Sequence, residues 1–158
     1  MTRMRRLSVC LLCWSRRRVQ VVLRVRVRVE RRDGKLSAVY SGVVGTGFSG
    51  RRPEILIPHG SIETLKLEEV SRPAPASKIS GGGTAIPLVR YEGAVRVYVD
   101  AGDRVEGPVA SDVLVSEAAR YVLLNDRLVQ GLKIVVIDPV EGLWCFRDEL
   151  GRKVKKGL

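Results

Sequence analysis

The sequence has little of what disulfide-rich and metal-binding domains need. Its three cysteines form no disulfide framework, which indicates a reducing, cytoplasmic compartment. Cys10 and Cys13 make a C-x-x-C pair, but the only histidine, His59, is far away along the chain. A structural zinc ion takes about four ligands. We therefore expect no metal and no other cofactor.

The sequence also lacks a long hydrophobic run. The apolar stretch at residues 7–14 is flanked by arginines and is too short to cross a bilayer, which takes about 20 residues. No small-residue cleavage site follows it. Residues 1–18 are thus interpreted as a disordered basic tail or as extra residues from an early start codon, with a weak membrane or RNA contact as a third reading. Few amide side chains beside many arginines and valines favour a thermophilic source, although a GC-rich genome gives the same bias.

The positive charge is confined to one end of the chain. Of the net charge of +11, residues 1–32 carry +10 and residues 33–158 carry +1. Nucleic-acid-binding domains display basic residues across a whole face. We therefore expect no nucleic-acid partner, except through the arginine-rich residues 3–32.

Alternating valines and arginines at residues 19–29 predict a strand with one buried face. Asp33 and Gly34 form a favourable hairpin turn before a second strand at residues 36–44. The same reasoning predicts further strands at residues 54–57, 85–89, 94–99, 109–115, 133–137 and 143–146.

Two helical segments complete the pattern. Residues 61–69 suit one or two turns, and residues 125–132 suit a short helix capped by Asn125. The many short strands predict a mostly β barrel or sandwich. Residues 19–150 then form one domain, followed by a frayed basic tail at residues 151–158.

A glycine-rich loop follows the second strand. Residues 45–50 fit the dinucleotide-binding pattern G-x-G-x-x-G, which requires a helix to start at once. Prolines at positions 53 and 58 instead bracket a strand-like run. The sequence therefore gives no support for nucleotide binding.

The same loop carries a resemblance to another family. Residues 43–48 (VVGTGF) resemble the hydrophobic-hydrophobic-Asp-Thr-Gly signature of aspartic peptidases, with Gly45 in place of the aspartate. A triple glycine at residues 81–83 stands where the flap tip would be. Residues 122–134 resemble the late apolar pair and short helix of that family, with Asn125 where glycine is frequent. Over residues 20–149 the chain thus resembles the retropepsin-like (clan AA) aspartic peptidases of archaeal type.

The resemblance implies a retropepsin-like acid-protease barrel with one or two short helices. Such peptidases are homodimers in which one aspartate from each subunit activates water, while flaps close over an extended peptide. Here the catalytic position is occupied by Gly45, followed by Thr46 and Gly47. The substrate contacts would come from Phe48, Gly81, Gly82, Gly83, Leu123 and Leu124.

Gly45 has no side chain that could hold a proton. The resemblance therefore predicts an impaired or inactive peptidase homologue that retains peptide binding. Two alternatives stay open. The chain could be an active peptidase that uses another carboxylate, such as Asp100 in a turn-forming segment, or a nucleic-acid or membrane-surface binder that acts through its basic tail.

Overall fold

The first two strands form the hairpin that the alternating sequence predicts. The computed structural model describes residues 23–45 and 47–158, so the predicted tail at residues 1–18 and the first residues of the predicted first strand lie outside the described residues. Strand β1 spans Leu23–Arg31 and β2 spans Ser37–Val44, paired antiparallel. The valines of β1 are buried and Arg24, Arg26 and Arg28 face outward, whereas Arg31 at the end of the strand is buried. Gly34 turns the chain with a φ of 74°, which glycine adopts without strain.

The remaining elements are short strands, one helix and isolated 3-10 turns. The strands are β3 Glu54–Pro58, β4 Pro73–Ile79, β5 Ala85–Asp100, β6 Val105–Ser116, β7 Val122–Leu124, β8 Ile134–Asp138, β9 Leu143–Phe146 and β10 Lys155–Lys156. Helix α1 spans Asp126–Gly131, and 3-10 turns occupy His59–Ser61, Glu63–Leu65, Leu67–Glu69 and Arg147–Glu149. None of the described helices is long and apolar enough to cross a membrane.

Six strands close into a barrel, which confirms the predicted mostly β class. The order is β1-β2-β7-β3-β6-β5, and pairing of β5 with β1 completes the circle. Strand β7 lies between β2 and β3, parallel to the first and antiparallel to the second. The glycine-rich loop that joins β2 to β3 therefore passes over the end of β7. Strand β4 extends the sheet beyond β5 and forms its edge.

The barrel interior is filled mainly by β-branched and leucine side chains. Trp144 and Phe146 extend this core at the barrel end and make an edge-to-face contact with ring centroids 5.1 Å apart. Both rings are buried core residues. Because their faces are covered, neither ring is accessible for stacking on a base.

Two predicted strands are in fact one. Residues 85–89 and 94–99 both belong to β5, which runs through a bulge where the register shifts between Tyr91 and Val95. Gly93 has a φ of 54° at this bulge. From sequence alone, a glycine within a strand pattern suggests that the strand breaks there. In the structure β5 pairs with β6 both before and after Gly93, so the strand is continuous.

The C-terminal residues differ from the frayed tail that the sequence predicts. Strand β10 pairs with β9, which in turn pairs with β8 in a second, three-stranded sheet. The Lys155 ammonium is nearly buried and pairs with Asp103 and Glu149 at 2.9 and 3.2 Å. Asp103 is distant in sequence, so the basic composition of residues 151–158 could not reveal that Lys153 and Lys155 form ion pairs.

Candidate functional site

A cleft lies beneath the hairpin formed by β4 and β5. The hairpin turns at a tip where the Gly83 amide donates to the Ser80 carbonyl at 2.9 Å. Below the tip, the hairpin, the glycine loop and β7 enclose a space of about 290 Å³. Its apolar lining comprises Phe48, Leu56, Ile79, Ile86, Leu88 and Leu123. The lining contains no carboxylate in the part of the chain that the structure describes.

Four of the predicted site residues meet in this cleft. Gly47 and Phe48 come from the glycine loop, Gly81 from the hairpin tip and Leu123 from β7. These residues are up to 76 positions apart in sequence, and the barrel topology brings them together. The resemblance to a flap and an active-site loop thus corresponds to two segments that face each other across one cavity.

Three predicted contacts do not reach the cleft. Leu124 is a core residue, because successive side chains of a strand point to opposite faces and Leu123 takes the cleft side. Gly82 and Gly83 are exposed at the hairpin tip, with open space where a side chain would begin. For these three residues, the substrate contact stays a prediction.

Gly45 lies on the other side of the loop. It has a φ of 79° and lines a separate depression of about 360 Å³ together with Asp126, Gln130 and Arg147. Asp126 is exposed and lies at the start of α1, where its backbone amide donates to the Phe48 carbonyl at 3.0 Å. Position 45 therefore borders a second depression, lined by both apolar and polar residues, which shares Gly47 and Phe48 with the apolar cleft. Thr46 lies outside the described residues.

The comparisons transfer no function to this chain. No protein-family model matches it, and no curated protein matches it. What the site does must therefore be argued from its own geometry.

A buried carboxylate connects the glycine loop to both strands of the hairpin. Glu54 starts β3 directly after the loop, and its side chain is 3% exposed. Its Oε1 accepts from Arg90 of β5 at 2.9 Å, and its Oε2 accepts from Lys78 of β4 at 2.7 Å. Burial of an unpaired carboxylate would be costly, so the two cations stabilise its charged form.

A second buried carboxylate extends this network. Asp112 of β6 accepts from Arg90 at 2.7 Å and from Arg52 at 2.8 Å through Oδ2, while its Oδ1 accepts from the Gly93 amide at 2.8 Å. Arg52 also pairs with Glu92 at 2.9 Å. Because each carboxylate is already held by cations, this network fixes geometry and is a poor candidate for general acid–base catalysis.

Asn125 joins the network to helix α1. Its Oδ1 accepts from the amides of Leu128 and Glu54 at 2.9 and 3.0 Å, and its Nδ2 donates to the Arg52 carbonyl at 2.8 Å. The first of these bonds confirms the predicted helix cap. The same side chain also ties the end of the glycine loop to β7, a role that local sequence did not indicate.

The network fixes the glycine loop against the hairpin. Lys78 donates to the Ser49 carbonyl at 3.0 Å, and its ammonium lies 5.4 Å from the centre of the Phe48 ring. Sequence analysis missed Glu54, Lys78 and Arg90. One signal was available in the sequence. Glu54 begins an otherwise apolar strand, and an acidic side chain is unusual in such a core position.

The other candidate reactive groups lie away from the cleft. Asp100 accepts from the Gly102 amide at 2.8 Å in the turn after β5, as its turn-forming context predicts. Burial raises the pKa of the Cys145 thiol, which disfavours the reactive thiolate. His59 lies in an exposed 3-10 turn. Within residues 23–45 and 47–158, no group of three or more potential ligand side chains could hold a metal ion.

Proposed function

We propose that this chain is a retropepsin-like aspartic peptidase homologue that binds an extended peptide beneath the β4–β5 hairpin and does not hydrolyse it. The observation that carries the proposal is the apolar cleft between the hairpin and the glycine loop. Both segments that the family resemblance singles out border it, and no carboxylate lines it in the described structure.

The shape of the cleft supports a peptide ligand. Its volume of about 290 Å³ is near the lower end of ligand sites, about 300 Å³, and suits a few side chains. Strand β4 forms the edge of the seven-stranded sheet and borders the cleft through Lys78 and Ile79. An extended segment can add to such an edge through main-chain hydrogen bonds while its side chains enter pockets. Pro73 and Pro75 remove two amide donors at the start of β4, so pairing would favour the end near the hairpin tip.

The proposed loss of hydrolysis follows from Gly45. Aspartic peptidase chemistry needs two carboxylates that share a proton and activate a water molecule. A glycine at this position supplies no carboxylate, and in a symmetric dimer both carboxylates would be absent. The proposal includes a homodimer, because in the family each subunit contributes one such loop to a shared site. A reducing, cytoplasmic location is part of the same proposal, in keeping with the free, buried thiol of Cys145.

The test compares Gly45→Asp with Gly45→Asn. Both side chains tolerate the positive φ of this position better than other residues do, and they differ only in the carboxylate. We expect the unmodified chain and Gly45→Asn to bind peptides from a mixed library without cleaving them between pH 3 and 7. We expect Gly45→Asp to cleave them and to be stopped by a transition-state inhibitor of aspartic peptidases.

Each part of the proposal has its own contradicting outcome. Equal cleavage by all three proteins would place the active carboxylate elsewhere, and Asp100→Asn would be measured next. Binding without cleavage by Gly45→Asp would reject the peptidase ancestry and leave peptide binding intact. Failure of all three to bind any peptide would reject the binding function. Sedimentation velocity on the same samples tests the homodimer.

A further inference from the structure

One arginine of the cleft lining has no ion-pair partner among the described residues. Arg120 is exposed and lines the cleft beside Tyr121. The Arg24 guanidinium lies 4.9 Å from the centre of the Tyr121 ring. Among the described residues, neither arginine forms an ion pair with a carboxylate. The charge of Arg120 is therefore available to a ligand in the cleft, whereas Arg24 lines a different depression.

The opposite side of the cleft is electrically balanced. Lys78 also lines the cleft, but it pairs with buried Glu54. The nearest acidic residue in sequence to Arg120 is Glu117, which lines a neighbouring depression with His59 and not the cleft itself. Arg120 is therefore the cation of the cleft lining that has no carboxylate partner among the described residues, and no acidic residue lines the cleft beside it.

We infer that the cleft selects extended peptides in which an acidic side chain lies close to a large apolar one; this inference rests on the proposed peptide-binding function. The apolar side chain is buried between Leu123 and the hairpin, and the carboxylate meets Arg120 at the cleft end. Arginine suits this role because its planar guanidinium can donate two parallel hydrogen bonds to a carboxylate. A nucleic acid fits less well, since it needs a longer track of cations than this mainly apolar cleft provides.

The inference is tested by scanning one glutamate along a neutral peptide. Each labelled peptide is acetylated and amidated and contains one leucine, so that all members have the same net charge and differ only in the distance from glutamate to leucine. Binding to the full chain is followed by fluorescence anisotropy. We expect one peptide, with its glutamate within about three residues of the leucine, to bind most tightly. It should bind roughly threefold to tenfold more tightly than the same peptide with glutamine in that position, as for a partly exposed charge pair.

Two arginine variants locate the selectivity. Arg120→Gln is expected to remove the preference for glutamate over glutamine while it retains binding of the neutral peptide. Arg72→Gln is the matched control, because Arg72 is exposed and does not line the cleft. We expect this variant to keep the full preference.

Three results would overturn the inference. A flat glutamate scan would show only general attraction to a chain of net charge +11. An unchanged preference for glutamate in Arg120→Gln would show that another residue contacts the glutamate. Competitive displacement of the best peptide by a single-stranded oligonucleotide would identify a nucleic-acid site. In all three cases binding of the neutral leucine peptide stands, whereas loss of that binding rejects the proposed function together with this inference.

Discussion

The Lys78 ammonium lies 2.7 Å from Oε2 of Glu54, which joins the hairpin to the strand that follows the glycine loop. Lys78 is a quarter exposed, whereas Glu54 is buried. The pair therefore lies at the boundary between solvent and core, where it holds β4 of the hairpin close to β3 at the cleft. Four further predictions follow from this and other contacts.

Loss of the Lys78 ammonium is expected to loosen the hairpin. In Lys78→Met the apolar stem is kept, but the bonds to Glu54 and to the Ser49 carbonyl are lost. We expect faster hydrogen exchange of the amides in β4 and a fall of about 1–2 kcal/mol in the free energy of unfolding. Lys35→Met, in the exposed turn after β1, serves as the control. Unchanged exchange in β4 would show that Lys78 does not hold the hairpin.

Replacement of Asn125 is expected to be strongly destabilising. Asn125→Ala removes a helix cap and leaves the buried amide of Glu54 without its acceptor. We expect a loss of about 2–4 kcal/mol in the free energy of unfolding, measured by urea denaturation. Asp126→Asn alters an exposed neighbour, where loss of a charge near a helix start costs about 0.3–1 kcal/mol. A cost for Asn125→Ala as small as that of Asp126→Asn would contradict the described network.

Gly42 is expected to tolerate no side chain. A Cβ atom at this position would overlap Cδ1 of Leu124 and lie 3.3 Å from Cγ2 of Val27. Gly42→Ala should therefore cost about 1–3 kcal/mol through overpacking, as judged from thermal and urea unfolding. Gly81→Ala is the matched control, because nothing lies within 4 Å of its Cβ position. Equal stability of the two variants would mean that β2 and β7 are not packed as described.

Stability is expected to fall in acid through the ion pairs of the C-terminal end. Hydrogen bonds from Lys153 and then Lys155 hold the pKa of the Asp103 carboxyl well below its usual range. A carboxyl with a lowered folded-state pKa stabilises the protein above its unfolded pKa, near 3.9, and this contribution is lost as the pH falls below that value. We expect the free energy of unfolding to fall from about pH 5 downward.

The variant Asp103→Asn identifies the group responsible. It is expected to be less stable than the unmodified chain at pH 7 and to lose less stability on acidification. Lys153→Gln removes one of the two lysines that pair with Asp103 and should shift the profile in the same direction. Profiles of equal slope in the unmodified chain and in Asp103→Asn would exclude Asp103 as a source of acid sensitivity.

Much of the architecture could be read from local patterns. The alternation in β1 specifies a strand with one buried face, because side chains of a strand alternate between its two sides. Gly34 specified the turn after it, and the cap at Asn125 specified the start of α1. Gly47 of the glycine loop and Gly81 of the hairpin tip line one cavity, whereas their assignment as a catalytic-loop residue and a substrate contact stays a prediction.

What the sequence could not reveal depends on register and on partners distant along the chain. Leu123 and Leu124 are chemically alike, and only the pairing of β7 with its neighbours decides that the first lines the cleft and the second enters the core. A one-residue shift would exchange their roles.

The sequence by itself determined the β-rich class and the turns, because each depends on residue type and short-range spacing. Tertiary structure alone decided that Glu54 is buried between Lys78 and Arg90 and that Lys155 and Lys156 join a sheet. Charge compensation acts through space and requires the closed barrel, so composition along the chain cannot specify it.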